Sequence, residues 1–254
     1  MSAIETGLQA VRGRIAAAAL AAGRDPHDIE LIAVSKTFPA PAVIEAVRCG
    51  QRAFGENYAQ EGVAKIQALR DLPMPAAGPL VWHFIGPIQS NKTRLIAEHF
   101  DWVQSVDRLN VAQRLSTQRP PEMPELQLCI QVNVSGEPTK HGVAPGALAE
   151  LAHQVCALPR VRLRGLMAIP EPNTDPSRAR QQLRALRELK DGLRSMGAAF
   201  DTLSMGMSDD LEAAIAEGAT MVRVGRAIFG ERTSKTKIDE AQSRTIRRPL
   251  TGTD

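Results

Sequence analysis

A lysine stands at the end of an apolar segment near the start of the chain, in the sequence ELIAVSKTFPAPAVIEAV. The run from residue 31 to residue 34 has the length and the β-branched residues of a buried strand, and helical spacing follows the prolines. Lys36 is therefore predicted to lie at the carboxyl end of a core strand, where ligands bind in α/β folds. Such a lysine either extends into water or, if desolvation or a nearby cation lowers its pKa, attacks a carbonyl group.

Two glycine-containing segments near the end of the chain have the composition of a phosphate site. In SMGMSDD, Gly206 permits a tight turn, and Ser208 supplies a hydroxyl group that can also cap the next helix. In VRVGRAIFG, Gly225 lies between Arg223 and Arg226. Free N–H groups at the start of a helix attract anions. Turn chemistry alone explains either glycine, but the two segments together favour a phosphate.

The elements that carry these residues alternate between strand and helix. We predict strands at 31–36, 52–55, 80–85, 101–106, 126–134, 162–169, 201–205 and 220–224. Helical patterns lie at about 40–49, 57–70, 90–99, 107–117, 145–157, 176–196 and 208–217, after an amphipathic first helix with Ile4, Leu8, Val11 and Ile15 on one face. Eight such units with right-handed crossovers predict a (β/α)8 TIM barrel. The alternative, an open doubly wound sheet, would need a Gly-rich dinucleotide fingerprint that the first strand lacks.

The size and charge of the chain fit one domain that does not bind nucleic acid. A length of 254 residues suits a single barrel, which we expect over residues 1–232. Residues 233–254 contain few apolar side chains and are expected to form a flexible tail. The net charge of +3 is small against 31 basic and 28 acidic residues, so no field of one sign covers the chain.

The cysteines indicate the compartment. Cys49, Cys129 and Cys156 are an odd number, are widely spaced and each lie in an apolar segment. They are expected to be reduced core thiols, which favours a cytoplasmic protein. No run approaches the roughly 20 apolar residues of a membrane span, and we expect no membrane partner.

A barrel brings the carboxyl ends of its first, seventh and eighth strands to one mouth. Lys36 would then face the two phosphate-binding segments. This arrangement suits an aldehyde cofactor that carries a phosphate, and pyridoxal 5'-phosphate (PLP) has both groups.

The sequence resembles the pyridoxal phosphate homeostasis protein family, the single-domain relatives of the alanine racemase barrel, from about residue 5 to residue 232. The segments that carry the resemblance are AVSKTFP, FGENYAQE, WHFIGPIQSNK, VNVSGEPTKHGV, GLMAI and SMGMSDDLEAAIAEGATMVRVGRAIFG. The family implies a barrel of the alanine racemase N-terminal domain type that binds PLP.

The resemblance also implies roles for individual residues. Lys36 matches the lysine that forms the Schiff base. Ser208 and the backbone N–H groups of Gly225 and Arg226 match the positions that hold the phosphate, and Arg223 matches the arginine that faces the pyridine nitrogen. Positions that line the cofactor pocket are matched by Asn57, His83 and Met207.

Other matched positions are less specific. Lys140 resembles a family lysine on a mobile loop near the cofactor, or is a solvated loop residue. The cluster of Gln89, Asn91 and Lys92 serves the site or simply starts a helix. Arg226 and Phe38 depart from the family pattern, which often has a small hydroxyl residue and a polar or basic residue there, and both departures bear on cofactor affinity and release.

The family implies a non-catalytic carrier that holds PLP reversibly, supplies it to apo-enzymes that depend on PLP, and is a cytoplasmic monomer without a metal. Arg223 beside the pyridine nitrogen would make the ring a poor electron sink. We expect this chain to lack the second domain and the tyrosine base of the racemases, and Tyr58, the single tyrosine of the chain, is expected to pack or line the pocket. Two alternatives remain: a PLP-dependent amino-acid racemase or related enzyme, and a sugar-phosphate barrel enzyme with Lys36 as a base.

Overall fold

Eight parallel strands form a closed barrel in the computed structural model, which describes residues 1–70, 78–137, 141–170, 176–193 and 200–231. Each strand pairs with its neighbours in sequence, and β8 pairs with β1 to close the barrel. The strands are β1 (Glu30–Val34), β2 (Ala53–Glu56), β3 (Val81–Phe84), β4 (Trp102–Val106), β5 (Leu126–Gln131), β6 (Val161–Met167), β7 (Thr202–Ser204) and β8 (Met221–Val224). The predicted TIM barrel is confirmed.

Helices connect the strands and cover the outside of the barrel. They are α1 (Ala3–Ala21), α2 (Ala40–Arg48), α3 (Ala59–Arg70), α4 (Thr93–His99), α5 (Leu109–Gln118), α6 (Leu148–Cys156), α7 (Pro176–Gly192), α8 (Leu211–Ala216) and α9 (Arg226–Phe229). Short 3-10 turns at Pro26–Asp28, Ser90–Lys92 and Pro145–Ala147 precede β1, α4 and α6. The strictly alternating order is the reason the strands are parallel, because each helix returns the chain to the same end of the sheet.

Side chains alternate between two hydrophobic layers along each strand. In β1, Leu31 and Ala33 belong to the large core between the barrel and the helices. A smaller cluster fills the inside of the barrel and consists of Ile32, Ala53, Trp102, Cys129, Met167 and Met221. At the amino ends of the strands, the guanidinium of Arg164 lies 5.1 Å from the centre of the Trp102 ring and pairs with Asp201 at 2.5 Å. The interior is therefore packed, and the carboxyl ends are left for ligands.

The first helix seals the seam where β8 meets β1. Its apolar stripe, Ile4, Leu8, Val11 and Ile15, is buried as the spacing predicts, and the helix packs against α8 and α9. Gly7 allows a close approach, because a Cβ there would lie 2.5 Å from the carbonyl oxygen of Ala227. Helix α1 thus supports the two segments in which a phosphate site is predicted.

Several element boundaries differ from the predictions. Strand β1 ends at Val34, so Lys36 lies in the turn that follows and not in the strand. Helix α8 begins at Leu211 rather than at residue 208, and the short helix α9 was not predicted. Ser90–Lys92 form a 3-10 turn that leads into α4, so the Gln89, Asn91 and Lys92 segment starts a helix. The expected tail, residues 233–254, and Lys140 lie outside the described residues.

The cysteines are free thiols, but they are not all in the core. Cys129 is buried, Cys49 is partly buried and Cys156 is exposed. The prediction was wrong for Cys156 because it is the last residue of α6, where the apolar stripe of that helix ends. Within the described ranges, no helix has the length and apolar composition needed to cross a bilayer.

Candidate functional site

The predicted site residues are gathered on an arc of five adjacent strands. In the strand register Gly55 is level with both Val34 and His83, and Ile32 is level with Arg223. Lys36 lies two residues after the end of β1, and Asn57 lies one residue after the end of β2. Met207 and Ser208 follow β7, and Gly225 and Arg226 follow β8. One mouth of the barrel therefore carries all eight residues.

Lys36 lies on a turn whose backbone is held in place. It is partly buried, and Thr37 after it has a φ of 68°, which is unusual for a β-branched residue. The N–H of Thr37 donates to the carboxylate of Glu61 on α3 at 2.6 Å. This hydrogen bond explains how the left-handed conformation is maintained, since surrounding contacts must offset such strain. The turn presents Lys36 from a fixed backbone.

A buried ion cluster lies directly beneath that turn. The ammonium group of Lys65, which is only 5% exposed, donates to Glu56, to Glu61 and to the backbone carbonyl of Ser35, each at 2.7 Å. The hydroxyl of Ser35 donates to the same oxygen of Glu56 at 2.6 Å. Burial raises the pKa of Glu56, and the contacts with Lys65 and Ser35 oppose that rise. The cluster ties β1, β2 and α3 together around the residue that precedes Lys36.

Arg223 is a buried cation on the inner face of β8. Its Nη1 donates to the hydroxyl of Ser204 at 2.5 Å, and its Nη2 donates to the carbonyl of Ala168 at 2.7 Å. Burial lowers its pKa to about 10, and the charge of Asp210 opposes that shift. Arg223 therefore stays positive at neutral pH and is held by fixed neutral acceptors.

His83 is a fully buried imidazole on β3. Its Nδ1 lies 3.0 Å from the side-chain nitrogen of Gln104, and its ring stacks on Trp102 with centroids 5.5 Å apart. Its Nε2 is buried without a hydrogen-bond partner in the described part of the chain. Burial lowers the pKa of His83 to about 3, so the ring is neutral at physiological pH.

The loop after β7 is shaped by hydrogen bonds from both sides. Gly206 has a φ of 97°, and a Cβ there would lie 2.6 Å from the Cβ of Ala214, so glycine suits this turn. The N–H of Met207 donates to Asp210 at 2.6 Å, and Arg14 of α1 donates to the carbonyl of Ser208 at 2.8 Å. Ser208 itself is half-buried.

The loop after β8 lies close to the strand that precedes Lys36. A Cβ on Gly225 would lie 3.0 Å from the carbonyl oxygen of Val34, so the absence of a side chain permits this contact. Gly225 caps α9, and the first N–H groups of a helix have no partner within the helix. The side chain of Arg226 is exposed.

The remaining predictions at the mouth have mixed outcomes. Asn57 is half-buried, and its Oδ1 lacks a hydrogen-bond partner among the described residues. Gly86 packs against the Asn57 backbone so closely that a Cβ would lie 2.2 Å from its carbonyl oxygen. Tyr58 is 56% exposed at the start of the segment leading into α3, so it does not pack in the interior, and its place in the pocket stays a prediction. Phe38 stacks on Phe229 with ring centroids 5.1 Å apart, which joins the Lys36 turn to α9.

Four polar residues were not identified from the sequence as part of this site: Glu56, Lys65, Gln104 and Ser204. Gln104 offered a signal, because it is a polar residue within the apolar alternation of strand four. Lys65 offered none, since a lysine four residues after a glutamate on a helix ordinarily forms a solvated pair. The described residues contain no cluster of three His, Cys, Asp or Glu side chains that could hold a metal ion.

Comparison with known proteins identifies relatives over most of the chain. The family model described as alanine racemase, N-terminal domain, matches residues 7–233. The pyridoxal phosphate homeostasis proteins of Pseudomonas aeruginosa and Escherichia coli K12 are 59% and 53% identical over 232 residues, which is 91% of this chain and 97% and 98% of theirs. The structure of PipY from Synechococcus elongatus with PLP bound is similar at 38% identity with a TM-score of 0.77, covering 89% of this chain and 100% of that one.

Proposed function

Because the chain belongs to the pyridoxal phosphate homeostasis protein family, with the barrel of the alanine racemase N-terminal domain, we propose that it binds and releases PLP without catalysing a reaction on it. One observation carries the proposal. The arc from β7 through β8, β1 and β2 to β3 brings a lysine on a fixed turn, two glycine loops and a buried arginine to one mouth.

The residues at this mouth fit the group chemically. Nε2 of His83 and Oδ1 of Asn57 are buried polar atoms without partners in the described ranges, and a polar ligand would satisfy both. Ser208 and the backbone N–H groups of Gly225 and Arg226 supply neutral donors for a phosphate, as loops before helices do elsewhere. Met207 lies beside them, half-buried, and adds apolar contact.

Lys36 makes the covalent attachment in this proposal. Bound PLP supplies an aldehyde, which reacts reversibly with amines, and a phosphate that anchors it. The amine of Lys36 condenses with the aldehyde carbon to give a Schiff base, and one water molecule leaves. Addition of water reverses the step and frees both partners, so the same residue serves for loading and for release to apo-enzymes.

The charges at the site favour storage over catalysis. Arg223 remains cationic at neutral pH and, facing the pyridine nitrogen as the family resemblance implies, would disfavour protonation of that nitrogen. His83 is neutral and buried, so it is a poor acid. Tyr58, the residue after Asn57, is 56% exposed, so it is not held in a buried position as a base would be. The free thiols support a cytoplasmic location for this activity.

Absorption spectroscopy and an amino-acid turnover assay test the proposal together. Purified protein mixed with PLP is expected to develop a visible band that Lys36→Ala loses and the control Lys92→Ala keeps, because Lys92 belongs to the 3-10 turn before α4. Incubation of the loaded protein with L-alanine and other amino acids is expected to give no racemised or deaminated product above the free cofactor. Absence of the band in the wild type would overturn PLP binding, and turnover abolished by Lys36→Ala would establish an enzyme instead.

A further inference from the structure

A continuous chain of buried hydrogen bonds runs from Arg223 to His83 across the inside of the barrel. Arg223 Nη1 lies 2.5 Å from Ser204 Oγ, Ser204 Oγ lies 2.7 Å from Gln104 Oε1, and Gln104 Nε2 lies 3.0 Å from His83 Nδ1. All four side chains are buried. We infer that Arg223, Ser204 and Gln104 fix His83 as the neutral tautomer with its proton on Nε2, and so present that N–H as a donor to the ligand.

Which group donates in each of these hydrogen bonds follows from the hydrogens that each side chain carries. A guanidinium has donors and no acceptor, so Ser204 must accept from Arg223. The single hydroxyl hydrogen of Ser204 is then available for Gln104 Oε1, which turns the amide nitrogen toward His83. An amide N–H donates, so Nδ1 of His83 accepts and its proton lies on Nε2.

The opposite amide orientation is less favourable on two counts. Ser204 would accept from both Arg223 and Gln104, and its own hydrogen would lose its buried acceptor. The Gln104 oxygen would also face the sulfur of Met221, which now lies 3.5 Å from the amide nitrogen as a weak acceptor. Both contacts support the orientation in which Gln104 accepts from Ser204 through its oxygen and donates to His83 through its nitrogen.

The N–H at Nε2 of His83, at the end of this chain of hydrogen bonds, is therefore a donor without an acceptor in the protein described. His83 Nε2 is buried and has no partner among the described residues, while the ring is held by Gln104 on one side and by stacking on Trp102. An acceptor atom of the ligand would take the hydrogen bond that the Nε2–H group offers. The hydrogen bond from His83 to the ligand rests on the proposed function. In it, Gln104 and Ser204 are positioning residues that act through His83.

The tautomer can be measured directly in the protein without cofactor. The chain has five histidines, so ¹⁵N-histidine NMR of the wild type, with His83→Gln to identify the signal, reports which ring nitrogen carries the proton. Gln104→Glu is the informative variant, because a carboxylate only accepts and would draw the proton to Nδ1. Gln131→Glu places the same charge at another buried glutamine, on β5, whose amide donates to the carbonyl of His141. It is the matched control.

The expected result is an Nε2–H ring in the wild type and in Gln131→Glu, and a ring protonated on Nδ1 in Gln104→Glu. Ser204→Ala removes the link to Arg223 and is expected to give both neutral tautomers, which keeps the test decisive if Gln104→Glu does not fold. PLP affinity, read from absorption, is expected to fall about tenfold in Gln104→Glu and less than about twofold in Gln131→Glu.

An Nδ1–H ring in the wild type, or an Nε2–H ring that persists in both Gln104→Glu and Ser204→Ala, would overturn the inference. Affinity that falls equally in Gln104→Glu and Gln131→Glu would overturn the role of His83 as a ligand donor. Wild type that does not bind PLP would overturn the proposed function alone, because the tautomer is read without cofactor.

Discussion

The ammonium nitrogen of Lys65 lies 2.7 Å from the backbone carbonyl oxygen of Ser35, the residue immediately before Lys36. The same nitrogen pairs with Glu56 and Glu61 at 2.7 Å. A lysine on α3 thus fixes the point at which β1 ends and the turn begins. The position of Lys36 depends on contacts made by residues that do not themselves face the ligand.

We expect Lys65→Met to lower the free energy of unfolding by about 3–5 kcal/mol, because it leaves the buried carboxylate of Glu56 without its counter-ion. Urea unfolding measures this change. Arg94→Met is the control, since it breaks the exposed ion pair with Glu98 and is expected to cost less than about 1 kcal/mol. Equal losses in the two variants would contradict a structural role for the buried cluster.

Acid is expected to destabilise the protein through His83. Burial lowers its pKa from 6.5 to about 3, so between these pH values the unfolded chain binds a proton that the folded chain does not. The free energy of unfolding is therefore unaffected by His83 above the unfolded pKa. Below that pKa it falls by about 1.4 kcal/mol for each pH unit, until the folded pKa is reached. Urea unfolding at several pH values is expected to show a steeper dependence for wild type than for His83→Gln. Identical slopes would contradict the buried neutral ring.

Gly225→Ala tests the close approach of the loop after β8 to β1. The new Cβ would lie 3.0 Å from the Val34 carbonyl oxygen, so the loop must shift by a few tenths of an ångström. We expect PLP affinity to fall about tenfold while the fold is retained. Gly13→Ala adds the same atom where no neighbour lies within 4 Å, and its affinity is expected to match wild type. An unchanged affinity in Gly225→Ala would show that this loop does not hold the ligand.

Phe38→Ala and Phe229→Ala probe the stacked pair that joins the Lys36 turn to α9. Aromatic pairs contribute about 0.5–1.5 kcal/mol beyond the area they bury, so a double-mutant cycle in urea unfolding is expected to give a coupling in that range. We also expect PLP to dissociate faster from Phe38→Ala, because the turn and α9 are no longer linked. A coupling of zero would mean that the two rings make no specific contribution.

The architecture was predictable because it depends on patterns that are local in sequence. Apolar runs bounded by glycine and proline gave the eight strands, and alternation with helices gave a parallel barrel. Boundaries were less certain, and Lys36 shows why. Ser35 is polar, yet it is fully buried. Its N–H still bonds to the carbonyl of Gly55 on β2, whereas its carbonyl accepts from Lys65.

The candidate site was predictable in part for a related reason. A lysine and two glycine-containing segments near strand ends favoured a ligand only when taken together, and the resemblance to a family supplied the roles of individual residues. The partners that hold these residues come from distant parts of the chain, such as Gln104 for His83 and Arg14 for the loop of Ser208. Such pairings depend on tertiary contacts, so the spacing of one segment does not reveal them.

The most direct test of the central claim is to locate the covalent attachment. Wild-type protein loaded with PLP is reduced with borohydride and digested, and the modified peptide is sequenced by mass spectrometry, with Lys36→Ala and Lys92→Ala treated in parallel. We expect a reduced pyridoxyl group on Lys36 in the wild type and in Lys92→Ala, and no stoichiometric adduct in Lys36→Ala. A stoichiometric adduct on another lysine, or none on the wild type, would contradict it.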